Sequence, residues 1–306
     1  MGDGLKLGTR GSPLALAQAR MAAAALETAH GWDPGTVGLV TITTSGDRIQ
    51  DRPLADIGGK ALWTKELDRA LLEGETDFSV HSLKDVESVR PDAIRIAAVL
   101  ARADVRDRIV GAKSVDALKQ GAVVGTSSPR RTAQLLSLRP DLEIVPLRGN
   151  VGTKLTKLEA GEMDAIVLAA AGLDRLGMSD IGTAIPVEQM LPAPTQAAIA
   201  LECRAGDERV VAALKRVDHG ETHAATGAER AFTAALGGTC HSPIAALATI
   251  DAGQVRMRVQ ILAEDGSEAL SDEAVFVAGD DEAPRRLAGG LLDRAPVAIR
   301  TLFEAA

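Results

Sequence analysis

Tyrosine is absent from this chain, and aromatic residues make up only 2% of its 306 positions. Surfaces that stack single-stranded bases are built from such rings, so a base-stacking platform is not expected. Cysteine is nearly absent too: Cys203 and Cys240 are the only two, which rules out a disulfide framework or a zinc ribbon. No apolar run is long and uninterrupted enough to span a membrane. The alanine-rich stretch at 22–25 shares a helical pattern with Gln18, Arg20 and Glu27. No basic segment followed by an apolar run opens the chain, so no signal peptide and a cytoplasmic location are expected. A Gly-x-x-x-x-Gly-Lys-[Ser/Thr] phosphate loop is lacking. Positive charge is in deficit: the formal net charge is −8, a balance that repels nucleic acid.

What is present suits a globular protein: 46% hydrophobic and 25% charged residues, in a chain long enough for two or three cores. Strand-like and helix-like segments alternate through the first two thirds. Residues 5–9 read as a strand, and Ser12-Pro13 opens a helix to about residue 29, with serine as cap and proline at the first helical position. A β-rich run at 37–44, a helix at 61–73 and strands at 77–81, 94–100 and 107–111 follow. A second unit of the same kind starts near 122, with Ser128-Pro129 opening its helix, a strand at 143–147, a helix at 151–160 and a buried-type strand at 164–170. Such alternation favours largely parallel sheets with helices on both faces. Leu191-Pro-Ala-Pro-Thr195 reads as a crossing. After a helix at 222–236, strands at 244–250, 255–263 and 269–277 and a helix from 281 to about 304 suggest a small α+β domain.

Two segments set arginines among small residues: Gly125-Thr-Ser-Ser-Pro-Arg-Arg131 and Leu147-Arg-Gly-Asn-Val-Gly-Thr-Lys154. The guanidinium fork matches carboxylates and phosphates, and small neighbours let backbone N–H groups approach the same anion. Between 125 and 175 six acidic residues sit among seven basic ones, so the arginines serve a local pocket rather than a broad stripe. Ser127 and Ser128 lie at a helix N-terminus, which favours anions. A normally capped helix with two solvated arginines is the plainer alternative. Lys84 and Asp85, in His81-Ser-Leu-Lys-Asp85, follow a strand and are placed to meet a ligand; a surface ion pair would use the same residues. Cys240 lies in the Gly-rich loop Leu236-Gly-Gly-Thr-Cys-His-Ser-Pro243 and is a candidate nucleophile or attachment point, or an inert thiol. Cys203 reads as a buried small hydrophobe. His219 and His223 are four apart, but Gly220 weakens the helix between them and no third ligand is evident, so no metal is expected. Asp47 and Asp51 suit turns or substrate contacts.

In order along nearly the whole chain, Thr9-Arg-Gly-Ser-Pro-Leu-Ala15, Gly58-Gly-Lys60, Lys65-Glu-Leu67, His81-Ser-Leu-Lys-Asp-Val86, the two arginine segments and the Cys240 loop resemble the hydroxymethylbilane synthase (porphobilinogen deaminase) family. The resemblance implies two α/β domains like those of periplasmic binding proteins with an active-site cleft between them, plus a small C-terminal α+β domain. The expected boundaries are 1–99 with 196–217, 100–195, and 218–306. It implies a dipyrromethane cofactor held by a thioether to Cys240, and Asp85 as the catalytic carboxylate. Lys84, Asp85, Ser127, Ser128, Arg130, Arg131 and Arg148 match cofactor-contact positions. Arg10, Ser12, Arg148, Lys154 and Arg175 match substrate-contact positions. The implied partners are porphobilinogen and the growing oligopyrrole, with no nucleic acid, no membrane and a monomeric state.

This sequence departs from the family pattern in several places. Lys154 stands where arginine is common, and Thr195-Gln-Ala197 replaces Gly-Gln-Gly. Asp85-Val-Glu-Ser88 lacks a proline, and Trp63 replaces phenylalanine. The rival readings are a non-catalytic two-domain anion-binding protein, a weakly active paralogue, and a thiol-dependent hydrolase, for which Cys240 lacks an identifiable base.

Overall fold

The computed structural model describes residues 4–44 and 64–303. In chain order the first elements are β1 (Lys6–Arg10), α1 (Pro13–His30), β2 (Gly38–Ile42), α2 (Lys65–Leu72), β3 (Phe78–Ser82) and β4 (Ile94–Val99). Then come β5 (Asp107–Val110), β6 (Val123–Gly125), α3 (Pro129–Leu138), β7 (Glu143–Val145), α4 (Val151–Glu159), β8 (Ala165–Ala169), α5 (Ala170–Arg175) and β9 (Thr183–Ala184). The last are β10 (Ile199–Arg204), α6 (Glu208–Leu214), α7 (Gly220–Ala235), β11 (Ile244–Asp251), β12 (Gln254–Leu262), β13 (Ala269–Val277), α8 (Glu282–Arg294) and α9 (Val297–Arg300). The chain divides into two compact units, Met1–Ala103 with Ala197–His223, and Asp104–Gln196 with Ala224–Ala306.

The first unit holds a five-stranded sheet of order β2-β1-β3-β10-β4. β1 runs parallel to β2 and β3, while β10 is antiparallel to both β3 and β4. Ser12, in extended backbone, accepts from the Ala15 amide at 3.3 Å and starts α1, with Pro13 at its first position. Gln18, Ala19, Ala22, Ala23 and Leu26 form the buried stripe of α1, so the alanine run packs on the sheet. Along β10, Ile199, Leu201 and Cys203 face one core and Ala200 another, so both faces of the sheet are covered.

In the second unit the sheet order is β7-β6-β8-β5-β9, with β6 parallel to β7 and β8, and β5 antiparallel to β8 and β9. The two sheets therefore share one topology, and each inserts one antiparallel strand next to its outermost one. The expectation of largely parallel sheets holds for four strands of each sheet, and one strand in each runs the other way. The inserted strands, β5 and β10, each begin just after the chain passes from one unit to the other, so no helical crossover sets their direction. The same unit carries a small C-terminal antiparallel sheet, β11-β12-β13, whose core includes Phe232, Met257, Val259, Ile261, Leu291 and Ile299. The single helix expected from 281 is broken: Pro296 holds Ala295 extended (φ −70°, ψ 135°), and α8 gives way to the short α9.

Two residues at the crossing carry backbone strain. Thr195 (φ 60°) and Ala197 (φ 72°) lie in the left-handed region, where glycine is at no disadvantage and an L side chain costs roughly 1–2 kcal/mol. Their positions are those where the sequence has lost glycines relative to its family pattern. Thr195 donates its amide to buried Glu229 at 2.5 Å, and Gln196 donates to the Val105 carbonyl and to Asp107 at 2.8 and 2.9 Å.

Candidate active site

In the first unit, β1 and β3 are parallel neighbours, so the residues following them emerge at the same sheet edge. Arg10 is the last residue of β1, and Ser12 caps α1. Lys84 and Asp85 lie in a 3₁₀ turn, Leu83–Asp85, directly after β3, and both are half-buried. Beneath that turn, His81 is 6% exposed. Burial, reinforced by the Arg90 charge, pushes its imidazole down to about 4, so the ring is neutral at pH 7. The Asp85 charge acts on this ring in the opposite direction.

In the second unit, β6, β7 and β8 are parallel; the two predicted arginine segments leave from the carboxyl ends of β6 and β7, and α5 with Arg175 follows β8. Gly125 ends β6 where a Cβ would stand 2.4 Å from the Met163 sulfur, so a larger residue there requires the methionine side chain to shift. Ser127 Oγ donates to the Leu147 carbonyl at 3.0 Å and accepts from its amide at 2.9 Å, lashing the two arginine segments together. Ser128 caps α3. Arg148 follows Leu147, and Gly149 (φ 107°) turns the chain into α4, which Asn150 caps through the Thr153 amide at 2.9 Å. Lys154 lies in α4, and Arg175 closes α5.

Arg130 and Arg131 are 3% and 9% exposed, not solvated. Both reach Asp107, which opens β5: Arg130 Nη2 at 2.8 Å from Oδ2 and Arg131 Nη2 at 2.7 Å from Oδ1. Arg130 also donates to Gln134 and the Leu191 carbonyl, and Arg131 to the Val167 carbonyl. Asp107 is the residue that reading the sequence missed; its signal was an acidic residue opening the strand 107–110. One carboxylate for two guanidinium groups leaves the pocket cationic. Among the described residues, the buried Nε atoms of Arg130 and Arg131 and Nη1 of Arg148 have no hydrogen-bond partner. Burying such donors unpaired is costly, and an anionic ligand relieves the cost. Burial also pushes Arg175 down to about 10.

The Cys240 loop lies in the same unit as the arginines. Cys240 is exposed and outside any disulfide. The loop is shaped by Thr239, which accepts the His241 amide on Oγ1 at 3.2 Å and donates its own amide to Ser242 Oγ at 3.1 Å. Cys203 is fully buried, and desolvation pushes its thiol up to about 11, which keeps it protonated and inert. The histidine pair serves the fold: His223 Nδ1 lies 2.8 Å from Asp218, and His219 Nδ1 accepts the Thr222 amide at the start of α7. Among the described residues no cluster of three or more His, Cys, Asp or Glu side chains could hold a metal. No helix among them is long and apolar enough to cross a membrane. Asp47, Asp51, Gly58-Gly-Lys60 and Trp63 lie outside the described residues.

The fold is α/β; the second unit holds buried arginine donors of the kind that suit carboxylate-bearing organic molecules and an exposed thiol, and the first unit holds a half-buried carboxylate in the turn after β3. Comparison with known proteins narrows the class. The chain belongs to the porphobilinogen deaminase family: residues 5–212 match its dipyrromethane cofactor binding domain, and residues 224–288 match its C-terminal domain. It is 52% identical over 305 residues to the porphobilinogen deaminase of Sphingopyxis alaskensis, covering 98% of this chain and 96% of that one. It is 46% identical over 296 residues to that of Paracoccus denitrificans, covering 95% of each. Among solved structures, a periplasmic substrate-binding protein of an ABC transporter from Coxiella burnetii covers 74% of this chain and 95% of its own at 16% identity and a TM-score of 0.43. The enzyme is thus a transferase of a family that uses a dipyrromethane cofactor.

Proposed function

We propose that this chain deaminates porphobilinogen and joins four such units to a dipyrromethane primer fixed by a thioether to Cys240, releasing hydroxymethylbilane for tetrapyrrole synthesis. The observation that carries the residue assignment is the set of buried guanidinium donors lacking partners at Arg130, Arg131 and Arg148. The donor set fits a cofactor that carries several carboxylates, and exposed Cys240 fits its attachment. When bound, the dipyrromethane supplies a free pyrrole α-carbon as the nucleophile.

The chain's own residues have distinct tasks in this reading. Arg130, Arg131 and Arg148, with Ser127, Ser128 and Lys84, hold the cofactor's acetates and propionates. Arg10, Ser12, Arg148, Lys154 and Arg175 take those of the incoming substrate. Lys154 keeps the charge but not the bidentate fork of an arginine. In each round the substrate's aminomethyl C–N bond breaks and ammonia leaves. A carbon–carbon bond forms, and the attacking pyrrole α-carbon loses its proton. Asp85 stabilises the positive charge on the pyrrole ring during this exchange and accepts or relays that proton. Water ends the sequence: the carbon–carbon bond joining the chain to the primer breaks, a proton returns to the primer's α-carbon, and the water's hydroxyl stays on the released product. The Cys240 thioether stays intact throughout, which is why the thiol needs access but no partner base. In this reading the enzyme acts as a cytoplasmic monomer divided at 1–99 with 196–217, 100–195, and 218–306.

The test is the intact mass of protein purified from a host that makes porphobilinogen, with peptide mapping. A dipyrromethane adduct on the Cys240 peptide, absent from Cys240→Ala, is expected. An unmodified Cys240 in active protein overturns the assignment.

A further inference from the structure

The turn that carries Asp85 rests on a buried ion network with no direct role in the chemistry above. On its upstream side the turn is tied by backbone: the Leu83 amide donates to the Ala198 carbonyl at 3.1 Å. On its downstream side the tie is made by side chains. Arg90, whose side chain is 7% exposed, donates through Nη1 to Glu87 at 2.7 Å and through Nη2 to Asp68 of α2 at 2.5 Å. Its Nε and Nη2 reach the two oxygens of Glu202 in β10 at 2.9 and 3.1 Å. Thr64 donates its hydroxyl to both oxygens of Glu87 at 3.3 and 3.2 Å. Glu202 is fully buried and adjoins a register shift in the β10–β4 pairing, a local irregularity that re-aims a side chain. His81 Nε2 stands 3.3 Å from Glu202 Oε2.

One cation thus gathers three carboxylates from three separate segments. Desolvating four charged groups is poor use of them for stability alone, because well-packed apolar residues of similar volume do as well or better. The network does give directional geometry: Arg90 fixes the residue two positions after Asp85 to the helix below and the neighbouring strand. We propose that Glu87 and Arg90 are positioning residues that hold the Asp85 turn in its productive place. This inference rests on the assignment of Asp85 as the carboxylate that stabilises the pyrrole cation.

Glu87 is the residue to vary, because its removal leaves Arg90 paired with Asp68 and Glu202 and leaves the buried core of the network intact. Glu87→Ala holoenzyme is expected to show kcat for porphobilinogen consumption reduced roughly tenfold with KM within about twofold, since a displaced catalytic group costs rate rather than binding. Glu87→Gln keeps an acceptor for Arg90 and is expected to stay within about twofold of the parent. Glu87→Pro is an independent rescue. Val86 (φ −99°, ψ 135°) already has the extended backbone that a following proline requires, so the ring stiffens the segment without the ion pair. Far-UV circular dichroism and the mass of the Cys240 adduct accompany every variant. An unchanged kcat in Glu87→Ala overturns the proposal, as does a loss that neither glutamine nor proline restores. Turnover retained by Asp85→Ala overturns the underlying assignment, and is distinguished by leaving the effect of Glu87→Ala without a carboxylate to act through.

Discussion

Replacing Asp107 by asparagine removes the counter-charge of two buried guanidinium groups at once. Its carboxylate is fully buried and takes Arg130 at 2.8 Å, Arg131 at 2.7 Å and the Gln196 amide at 2.9 Å. Asparagine keeps the shape but turns one acceptor into a donor facing a donor. Arg130 is already disfavoured as a cation by burial, which outweighs the attraction of Asp107, so removing Asp107 leaves it with desolvation and the repulsion of Arg131. Breaking a buried pair in this way costs about 3–5 kcal/mol. With an m-value of about 2 kcal/mol/M in urea, the midpoint of the affected unit falls by about 1.5–2.5 M. Urea titration followed by far-UV circular dichroism measures it. Trp32 packs against the core of the first unit, so its emission follows that unit while the far-UV signal follows both. The variant is expected to show an early far-UV phase. A midpoint within about 0.5 M of the parent refutes the view that Asp107 is the main counter-charge of the arginine pair.

The pH dependence of stability offers a second test. His81 is held near 4 in the fold against 6.5 ordinarily, so between those values the unfolded chain binds the proton and the native one does not. Stability from this group is complete above 6.5 and is lost as pH falls toward 4, by about 3 kcal/mol in all. His81→Asn should flatten the urea midpoint against pH across that window, and an unchanged slope would count against the buried neutral ring. At the crossing, Ala197→Gly is expected to change stability by less than about 0.5 kcal/mol, because relief of the left-handed strain offsets the added chain entropy. The same change at Ala200, buried in β10, should cost about 1 kcal/mol or slightly more, and equal losses at the two sites in thermal melts would exclude strain at residue 197.

Local rules made much of the fold legible. Ser12-Pro13 and Ser128-Pro129 announced two helix starts because a capping hydroxyl and a proline without an N–H act within one turn. The exposed, Gly-rich setting of Cys240 and the burial of Cys203 were likewise readable from their neighbours. The strand β10 and its direction were not legible, since Ala198-Ile-Ala-Leu-Glu-Cys203 has no strict alternation and its partners lie more than 90 residues upstream. The same distance hid the chemistry around the site. Asp107 lies 23 residues before Arg130, and Glu202 lies 112 after Arg90, so neither pairing leaves a trace in local sequence. A solvated arginine and one locked to a buried carboxylate look alike until the sheet brings the partner in.

The place of β10 between β3 and β4 also fixes an order of events during synthesis. When β4 has been made, the first sheet has a vacant slot, and its filling strand ends 105 residues later, at Arg204. At ribosomal rates of about 5–20 residues per second, that is an interval of roughly 5–20 s. The five strands of the second sheet, residues 107–184, are all translated within it. The later-encoded sheet can therefore close first, while β3 and β4 wait with unpaired backbone edges of the kind that other chains and chaperones capture.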